Sequence, residues 1–412
     1  MKVENILCTG CSLLCDDVDC EIEGGVVVKA WGSCSHGTNR LKGFKESRLE
    51  EPLVEGSKAS VEEAVEALAE KLKSSKAPAI YGGGCSSNRC VELALKLAEK
   101  LEAVYDAPPS ICRVLIPIRR EFNVEASRFE EVLDEADFVL YWGVSIADTH
   151  LRHASRYTVM PRGSVIKMGR ENRVVAMVDV RESMSMKIAQ HKLVVGLCGD
   201  ASLAKSIVDA LQGMTPQPPA EVPTRQVVLL ASDLKSSSFT AIFLGSGLLR
   251  CRPEESIKEI LKLAEKLREK GKCSVQPVAE EVNSYGQAEL SLKLLGTCSP
   301  YSFKEKAQVK PLHELVAEGT VDFVFSLNTD LLSSIPMSSA KHLQGKLACT
   351  TELKTLTQAK SSIAIPVQAL GIEAGGTVTR TDGVEVELKP FLTPPQGLLS
   401  EEEVLSRLLK SL

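Results

Sequence analysis

The sequence predicts an α/β protein built on open, doubly wound parallel sheets. Three observations lead there. Continuous apolar runs of four to six residues recur, lacking the alternation of a half-exposed strand. Each runs into a turn residue: Pro78–Tyr81 into Gly82-Gly83-Gly84, Phe138–Trp142 into Gly143, Val174–Val178 into Asp179, Phe239–Leu244 into Gly245-Ser246-Gly247, and Phe323–Leu327 into Asn328. Amphipathic, capped segments lie between them, the pattern of buried strands covered by helices on both faces.

The chain opens on a cysteine hook, Cys8-Thr9-Gly10-Cys11-Ser12-Leu13-Leu14-Cys15, with Cys34 following after eighteen residues. Three closely spaced thiolates and a fourth from a returning loop can hold the corners of a [4Fe-4S] cube. A zinc site or buried free thiols are the alternatives, although zinc is better served by paired C-x2-C units. Cys20 is a spare thiol that can replace one of the four. The stretch Glu21–Val28, with Gly24-Gly25 at its centre, reads as a hairpin returning the chain towards the hook. Asp16, Asp17, Asp19 and Glu21 make the module acidic, unlike a nucleic-acid finger.

Beyond Pro52, Ser60-Val61-Glu62-Glu63 is a capping box opening a helix with Val65, Leu68 and Leu72 on one face. A helix is expected over 87–101, and another over 254–270 closed by Gly271. Thr215 to Pro223 is a proline-rich extended linker, and Ser400-Glu401-Glu402-Glu403 caps a final helix.

Composition narrows the classes. The 412 residues suffice for two or three domains, with 44% apolar and 25% charged residues, ordinary for a globular protein. A net charge of −5 gives no electrostatic case for nucleic acid or an anionic membrane. No apolar run approaches spanning length, the hook follows Met1 too closely for a signal peptide, and a cytoplasmic chain is expected. Thirteen cysteines then read as thiols of a reducing compartment, with disulfides not expected and Cys198 a small core residue.

In doubly wound sheets ligands sit beyond the carboxyl ends of the strands. Small residues there let a backbone approach a phosphate, and Asp suits the N–H donors of a guanine. Gly143, Asp179, Gly245, Gly247, Asn328 and Asp330 occupy such positions, and their number points to a large ligand spread over two sheets. Each taken singly reads equally as an ordinary turn, and Gly245-Ser246-Gly247 lacks the third glycine of a dinucleotide fingerprint.

Together these pieces resemble the molybdopterin oxidoreductases, and more closely the B subunit of formylmethanofuran dehydrogenase, as a divergent relative. The hook through Asp17 looks like that subunit's N-terminus. Ser110-Ile111-Cys112 resembles the segment that presents a thiolate to tungsten or molybdenum. Tyr141-Trp142-Gly143 through Ser145, followed by His150-Leu151-Arg152-His153-Ala154-Ser155-Arg156-Tyr157, is similar to a stretch at the first pterin. Val178-Asp179-Val180-Arg181 resembles the loop whose Asp meets a guanine, and Gly376–Val384, carrying Thr377, Thr379, Arg380 and Asp382, a late pterin-contacting segment. The likeness is dense over 1–50 and 105–200, thin over 215–365, and firm at 370–390.

The resemblance implies a molybdopterin oxidoreductase-like fold with a small N-terminal iron–sulfur domain over 1–53, to which 346–412 returns. It implies an α/β cofactor domain over 54–122 and 281–345, and an inserted domain over 123–280 binding pterin guanine dinucleotide. Its cofactors would be a [4Fe-4S] cluster at Cys8, Cys11, Cys15 and Cys34 and a tungsten or molybdenum bis(molybdopterin guanine dinucleotide) ligated by Cys112. The implied activity is reduction of CO2 to formate. Partners would be a separate β-barrel subunit closing over the pterins, an amidohydrolase-like subunit and a ferredoxin-like subunit. Two departures stand out. His usually follows the metal-binding cysteine, where this chain has Arg113, a candidate for stabilising carboxylate charge. The basic residues of an Arg-Gly-His-type segment are missing from Val278–Gly286, although Asn283 and Gly286 match. A non-catalytic scaffold and a formate dehydrogenase-like subunit are therefore alternatives.

Overall fold

Two glycines make the first turn possible. The chain begins as three antiparallel strands, β1 (Lys2–Ile6), β2 (Val18–Glu23) and β3 (Val26–Trp31), paired in the order β1-β2-β3. Gly24 and Gly25 join β2 to β3 with φ of +56° and +73°, a two-residue hairpin turn that residues with a Cβ resist. Along β2 the period of two holds: Val18, Cys20 and Ile22 are buried while Asp19 and Glu21 point outwards. Helix α1 (Ser35–Gly43) starts from Cys34 as its N-cap. The computed structural model describes residues 1–412.

The short strands β4 (Leu53–Val54) and β5 (Ser57–Lys58) precede α2 (Val61–Ser74). The capping box at the head of α2 is present: the Glu63 N–H donates to Ser60 Oγ at 3.1 Å and the Ser60 N–H to Glu63 Oε2 at 2.7 Å. Strand β6 (Pro78–Gly82), helix α3 (Asn88–Lys100) and strand β7 (Val104–Asp106) follow. Then the chain enters a second unit. It holds α4 (Ile111–Glu121), β8 (Phe138–Trp142), β9 (Val174–Asp179), β10 (His191–Val194), α5 (Asp200–Leu211), α6 (Thr224–Ser236), β11 (Phe239–Leu244), α7 (Pro253–Arg268) and β12 (Lys272–Pro277). The chain returns through α8 (Ser284–Leu295), β13 (Tyr301–Ser302), β14 (Ala307–Gln308), β15 (Phe323–Leu327), β16 (Leu347–Thr351), β17 (Ile363–Pro366), β18 (Gly376–Thr379) and β19 (Glu385–Leu388) to α9 (Glu401–Ser411).

The first compact unit is thus Met1–Pro108, Glu281–Arg380 and Glu385–Leu412; the second is Pro109–Glu280 with Thr381–Val384. Residues 1–53 lie inside the first. Its main sheet runs β14-β13-β7-β6-β15-β16-β17-β4-β5, parallel from β7 to β17 and antiparallel at both edges. On one face Leu68, Leu72, Val91, Leu405 and Leu408 pack against Ile80, Phe325 and Ile365; on the other Leu312, Val316 and Leu343 cover Tyr81, Val324 and Leu347. From β6 the chain moves to β7, whereas β15 leads the opposite way to β16 and β17. The winding therefore reverses between β6 and β15.

The second unit carries a five-stranded, wholly parallel sheet, β10-β9-β8-β11-β12. Every residue of β8 and β11 is buried, as expected of continuous apolar runs. Its winding reverses between β8 and β11. Both sheets are therefore of the doubly wound type, which places ligand crevices at the carboxyl ends of β6/β15 and β8/β11.

Two expectations need correcting. Helix α7 ends at Arg268 on a right-handed Glu269, so Gly271 does not close it. Gly271 is there because a Cβ would lie 2.7 Å from Ser238 O, where the chain turns into β11. Cys198 is not a core residue: it is exposed and joined to Cys251 by a disulfide with Cα atoms 5.2 Å apart. No helix is long and apolar enough to cross a membrane.

Helix α9 seals the first unit's larger core through Val404, Leu405 and Leu408. Leu405→Ala should therefore lower unfolding free energy by roughly 2–5 kcal/mol in a denaturant titration. A loss below about 0.5 kcal/mol, typical of a surface change, would show that α9 is peripheral.

Candidate functional site

The hook is folded by its own backbone. The Cys8 N–H donates to Cys15 O at 2.8 Å and the Leu14 N–H to Cys11 O at 3.3 Å, with Leu14 at φ +47°. Cys34 Sγ accepts from the Gly37 N–H at 3.5 Å, so the fourth thiol caps α1. Two glycines let helix and hook meet: a Cβ on Gly37 would stand 2.8 Å from Cys8 Sγ, and one on Gly10 3.0 Å from Gly37 Cα. Cys8 and Cys15 are buried, Cys11 and Cys34 partly so. Burial pushes the Cys11 thiol up to about 12, and the neighbouring Cys15, Cys8 and Cys34 push it the same way. Cys11 thus feels the other three thiols, yet no three His, Cys, Asp or Glu side chains stand together in this structure as a group that could hold a metal ion. The four thiols are of the chemical type that an iron–sulfur cube takes, but to hold one they would have to draw closer together and give up their protons. Cys20 is buried in β2, opposite Val3 and Ala30.

Beside the hook, Arg40 donates from Nε to Thr9 Oγ1 at 3.3 Å and from Nη2 to Leu370 O at 3.1 Å, and it pairs with Glu352. Glu352 follows β16 and also accepts from Asn328 Nδ2 at 3.0 Å and the Leu370 N–H at 2.9 Å. Asn328, at φ +41°, is thereby held at the carboxyl end of β15. Asp330 ties the same loop down, accepting from the Thr357 N–H at 2.9 Å and from Ser333 Oγ at 2.5 Å. Across the winding reversal stand Gly82 and Gly83, at φ +124° and +107°; a Cβ on Gly82 would lie 2.6 Å from Leu327 O.

A cavity of about 240 Å³ opens there, lined among others by Ser87, Asn328, Glu352, Gln368 and Glu401. Glu401 accepts from Thr350 Oγ1 at 2.7 Å; burial first, then the Glu352 charge, raises its carboxyl to about 7. In the sequence Glu401 reads as one of three acids in a helix cap. Its spacing from Val404, Leu405 and Leu408 is the signal that it faces inwards, because i, i+3, i+4 and i+7 share one helix face.

Thr377 and Thr379 lie on β18. The Thr379 N–H donates to Asn283 Oδ1 at 2.8 Å, and Asn88 Nδ2 to Thr379 Oγ1 at 3.1 Å. Asn283 also donates to Ser86 O at 2.8 Å and Asn88 Oδ1 at 3.0 Å, while its N–H reaches Gly84 O at 2.7 Å. A Cβ on Gly286 would come within 2.4 Å of both Asn283 Oδ1 and Asn88 Oδ1. Asn283 and Gly286 thus pin the glycine turn of β6 to β18. Arg380 closes that stretch, buried.

In the second unit Cys112 is fully buried in the first turn of α4, its N–H donating to the N-cap Ser110 Oγ at 3.2 Å. Arg113, next on the helix, is partly exposed. Gly143, Ser145, Asp179, Gly245 and Gly247 come together beyond β8, β9 and β11. The Gly245 N–H donates to Trp142 O and the Gly247 N–H to Gly143 O, each at 2.9 Å. A Cβ on Gly245 would lie 2.4 Å from Val144 Cβ, and one on Gly247 2.7 Å from Gly143 O. These glycines pack two loops against each other. Ser145 Oγ lies 3.0 Å from Ser185 Oγ. Asp179 Oδ1 accepts from the Val180 N–H at 2.7 Å, and burial raises its carboxyl while Arg181 opposes this. Arg181 itself is exposed and 3.8 Å from Asp148. Asp382 belongs to this unit and accepts from the Phe129 N–H at 2.9 Å. Behind β8, Tyr141 Oη lies 2.9 Å from His153 Nδ1 and 2.5 Å from Thr158 Oγ1. Burial and nearby His150 hold His153 well below its ordinary value, hence neutral.

No family model matches the chain. Two curated proteins do over nearly their whole length. The B subunit of the tungsten-containing formylmethanofuran dehydrogenase 2 of Methanococcus maripaludis is 27% identical over 425 residues, and that of Methanocaldococcus jannaschii 27% over 426. Each alignment covers 99% of this chain and 98% of the relative. Among solved structures, the formyltransferase/hydrolase complex (FhcABCD) from Methylorubrum extorquens with methylofuran gives a TM-score of 0.66 at 18% identity, over 87% of this chain and 98% of that one. Acetylene hydratase from Pelobacter acetylenicus gives 0.67 at 12%, over 99% and 69%. At such identities these structures speak for the fold alone. The chain is thus similar to the formylmethanofuran dehydrogenase B subunit, divergently so, and its α/β fold with parallel sheets is of the molybdopterin oxidoreductase type.

Glu401 makes stability depend on pH in a definite direction. Its carboxyl titrates at about 7 when folded against an ordinary value of 4.5, so the native state binds its proton more tightly than the unfolded chain. Stability should then fall as pH rises from about 4.5 to about 7. Glu401→Gln should flatten that limb of the denaturation midpoint against pH; an unchanged slope would place the titration elsewhere.

Proposed function

We propose that this chain is the redox-active B subunit of a formylmethanofuran dehydrogenase-like complex, reducing CO2 to formate. The observation that carries the reading is similarity to that subunit over nearly the whole chain, and the packing of the Cys8–Cys15 hook on the helix that Cys34 caps supports it. The hook would hold a [4Fe-4S] cluster, with Arg40 supplying a fixed positive charge beside it. Cys112 would ligate tungsten or molybdenum carried by two molybdopterin guanine dinucleotides. When bound, that centre supplies electron exchange with the carbon of CO2, and the cluster supplies one-electron relay.

The chain's own residues have narrower tasks. Asp179, half-buried at the end of β9, would accept from guanine N–H groups, with Arg181 working against the burial that raises its carboxyl. Arg113 would hold carboxylate charge through its guanidinium. Asn328 and Thr379 would keep the first unit's crevice in shape, since their bonds go to neighbouring loops and strands. Separate β-barrel, amidohydrolase-like and ferredoxin-like subunits would complete the assembly, in line with the subunit and complex names of the relatives.

One observation favours a second reading, a cofactor-holding or non-catalytic scaffold. Residues 278–286 carry Glu280 and Glu281 in place of basic groups, and Asn283 there is engaged by Ser86, Asn88 and Thr379.

Protein purified without oxygen should contain roughly four iron per chain from the hook, before any partner's contribution. Cys11→Ala should lose most of it while leaving the circular dichroism of the sheets intact. One zinc and no iron would refute the cluster. Cys112→Ser should remove activity and shift the tungsten or molybdenum absorption edge, because oxygen replaces a soft sulfur. An unaltered edge in that variant would remove Cys112 from the metal site.

A further inference from the structure

We propose that Cys198 and Cys251 are a reversible thiol–disulfide site, a latch that locks two loops over the carboxyl edge of the second unit's sheet and opens to dithiol reductants. The strand order is the first argument. Cys198 follows β10 and Cys251 follows β11, and β9 and β8 lie between them. The ends of β10 and β11 are therefore about 14 Å apart, three strand spacings. The two cysteine Cα atoms are 5.2 Å apart. Both loops have crossed the edge of the sheet to meet.

What they cross is the winding reversal. The β10 loop starts with the Val195 N–H on Asp179 O at 2.9 Å and ends at Asp200, which accepts from Trp142 Nε1 at 2.7 Å. The β11 loop lies on the same step through Gly245 and Gly247, and a Cβ on Gly143 would meet Leu248 N at 3.0 Å. The bridge thus joins the heads of α5 and α7, which pack on each other, and holds both loops against Trp142–Val144. Cys198 itself, at φ +72°, and Arg252, next to Cys251 at +44°, hold left-handed backbone states that persist only under outside constraint.

Selectivity is the second argument. The other eleven cysteines form no disulfide, and most are buried. Cys198 is exposed beside exposed Leu197, so a thiolate reaches its sulfur from solvent. A reductant thiolate attacks Cys198 Sγ, the S–S bond breaks, and Cys251 leaves as a thiolate that takes a proton. The reductant's second thiol then attacks the mixed disulfide, freeing Cys198 as a thiol and departing as an oxidised cyclic disulfide. Two electrons and two protons pass from the dithiol to the protein.

The test is hydrogen–deuterium exchange of the full chain with and without dithiothreitol, alongside alkylation read by mass spectrometry and binding of GDP. Without reductant, Cys198 and Cys251 should resist alkylation; with it, both should label in the folded protein. Exchange over 196–200 and 246–252 should then speed up about tenfold while β8 and β11 keep their protection. Cys198→Ser should show the fast exchange in either condition. Labelling of both cysteines without reductant, or exchange indifferent to reduction, would overturn the latch. GDP is the probe for the guanine reading of Asp179, whose carbonyl holds the start of the β10 loop, and this arm alone rests on that reading. Tighter GDP binding after reduction supports both; no GDP binding in either state, with exchange still responding, removes the guanine reading and leaves the latch.

Discussion

One guanidinium sets the position of the hook on the first unit. Arg40 stands on the helix that Cys34 caps, and its three nitrogens reach Thr9 of the hook, Glu352 at the end of β16 and the Leu370 carbonyl. Hook, helix, sheet and the loop beyond β17 are thus fastened at a single point. A buried ion pair of this kind costs desolvation to form and far more when one partner is removed. Glu352 makes it tolerable by filling its remaining capacity with Asn328 and the Leu370 N–H. The close approach of Gly37 to Cys8 depends on that fastening.

The same acid links the hook to the first unit's crevice. Glu352 lines the cavity that also holds Glu401, and its charge helps keep the Glu401 proton in place near neutrality. Arg48 and Glu373 form a second buried pair, bidentate at 2.6 and 2.5 Å, on the same loop. The crevice is thus walled by carboxylates answered one by one by guanidinium, amide and hydroxyl groups. In the second unit the crevice is shaped differently, by backbone pressed on backbone at Gly143, Gly245 and Gly247, with a covalent bridge outside it.

The parallel strands are legible in the sequence because a strand buried on both faces must be apolar without alternation, and Phe138–Trp142 or Phe239–Leu244 admit little else. The capping boxes at Ser60 and Ser400 are equally plain, since both bonds are local. The edge strands at Leu53 and Tyr301 are hidden, because two residues carry no periodicity. Cysteine spacing points to the hook, whereas the Arg40–Glu352 pair spans 312 positions and leaves no local trace. The Cys198–Cys251 bridge spans 53 residues and follows from topology, which spacing alone does not fix. The strand-end glycines stand where sequence places them but partly for another reason: in the second unit their missing Cβ atoms make room for each other's loops.

The proposed redox role depends most on whether the hook's four thiols take up an iron–sulfur cube. Electron paramagnetic resonance of the anaerobically purified chain, reduced with dithionite, addresses this directly. A cube in the hook predicts a fast-relaxing half-integer signal integrating to about one spin per chain, lost when Cys34 is replaced. A silent spectrum from iron-free protein whose four thiols bind one zinc, or all titrate as free, would contradict it.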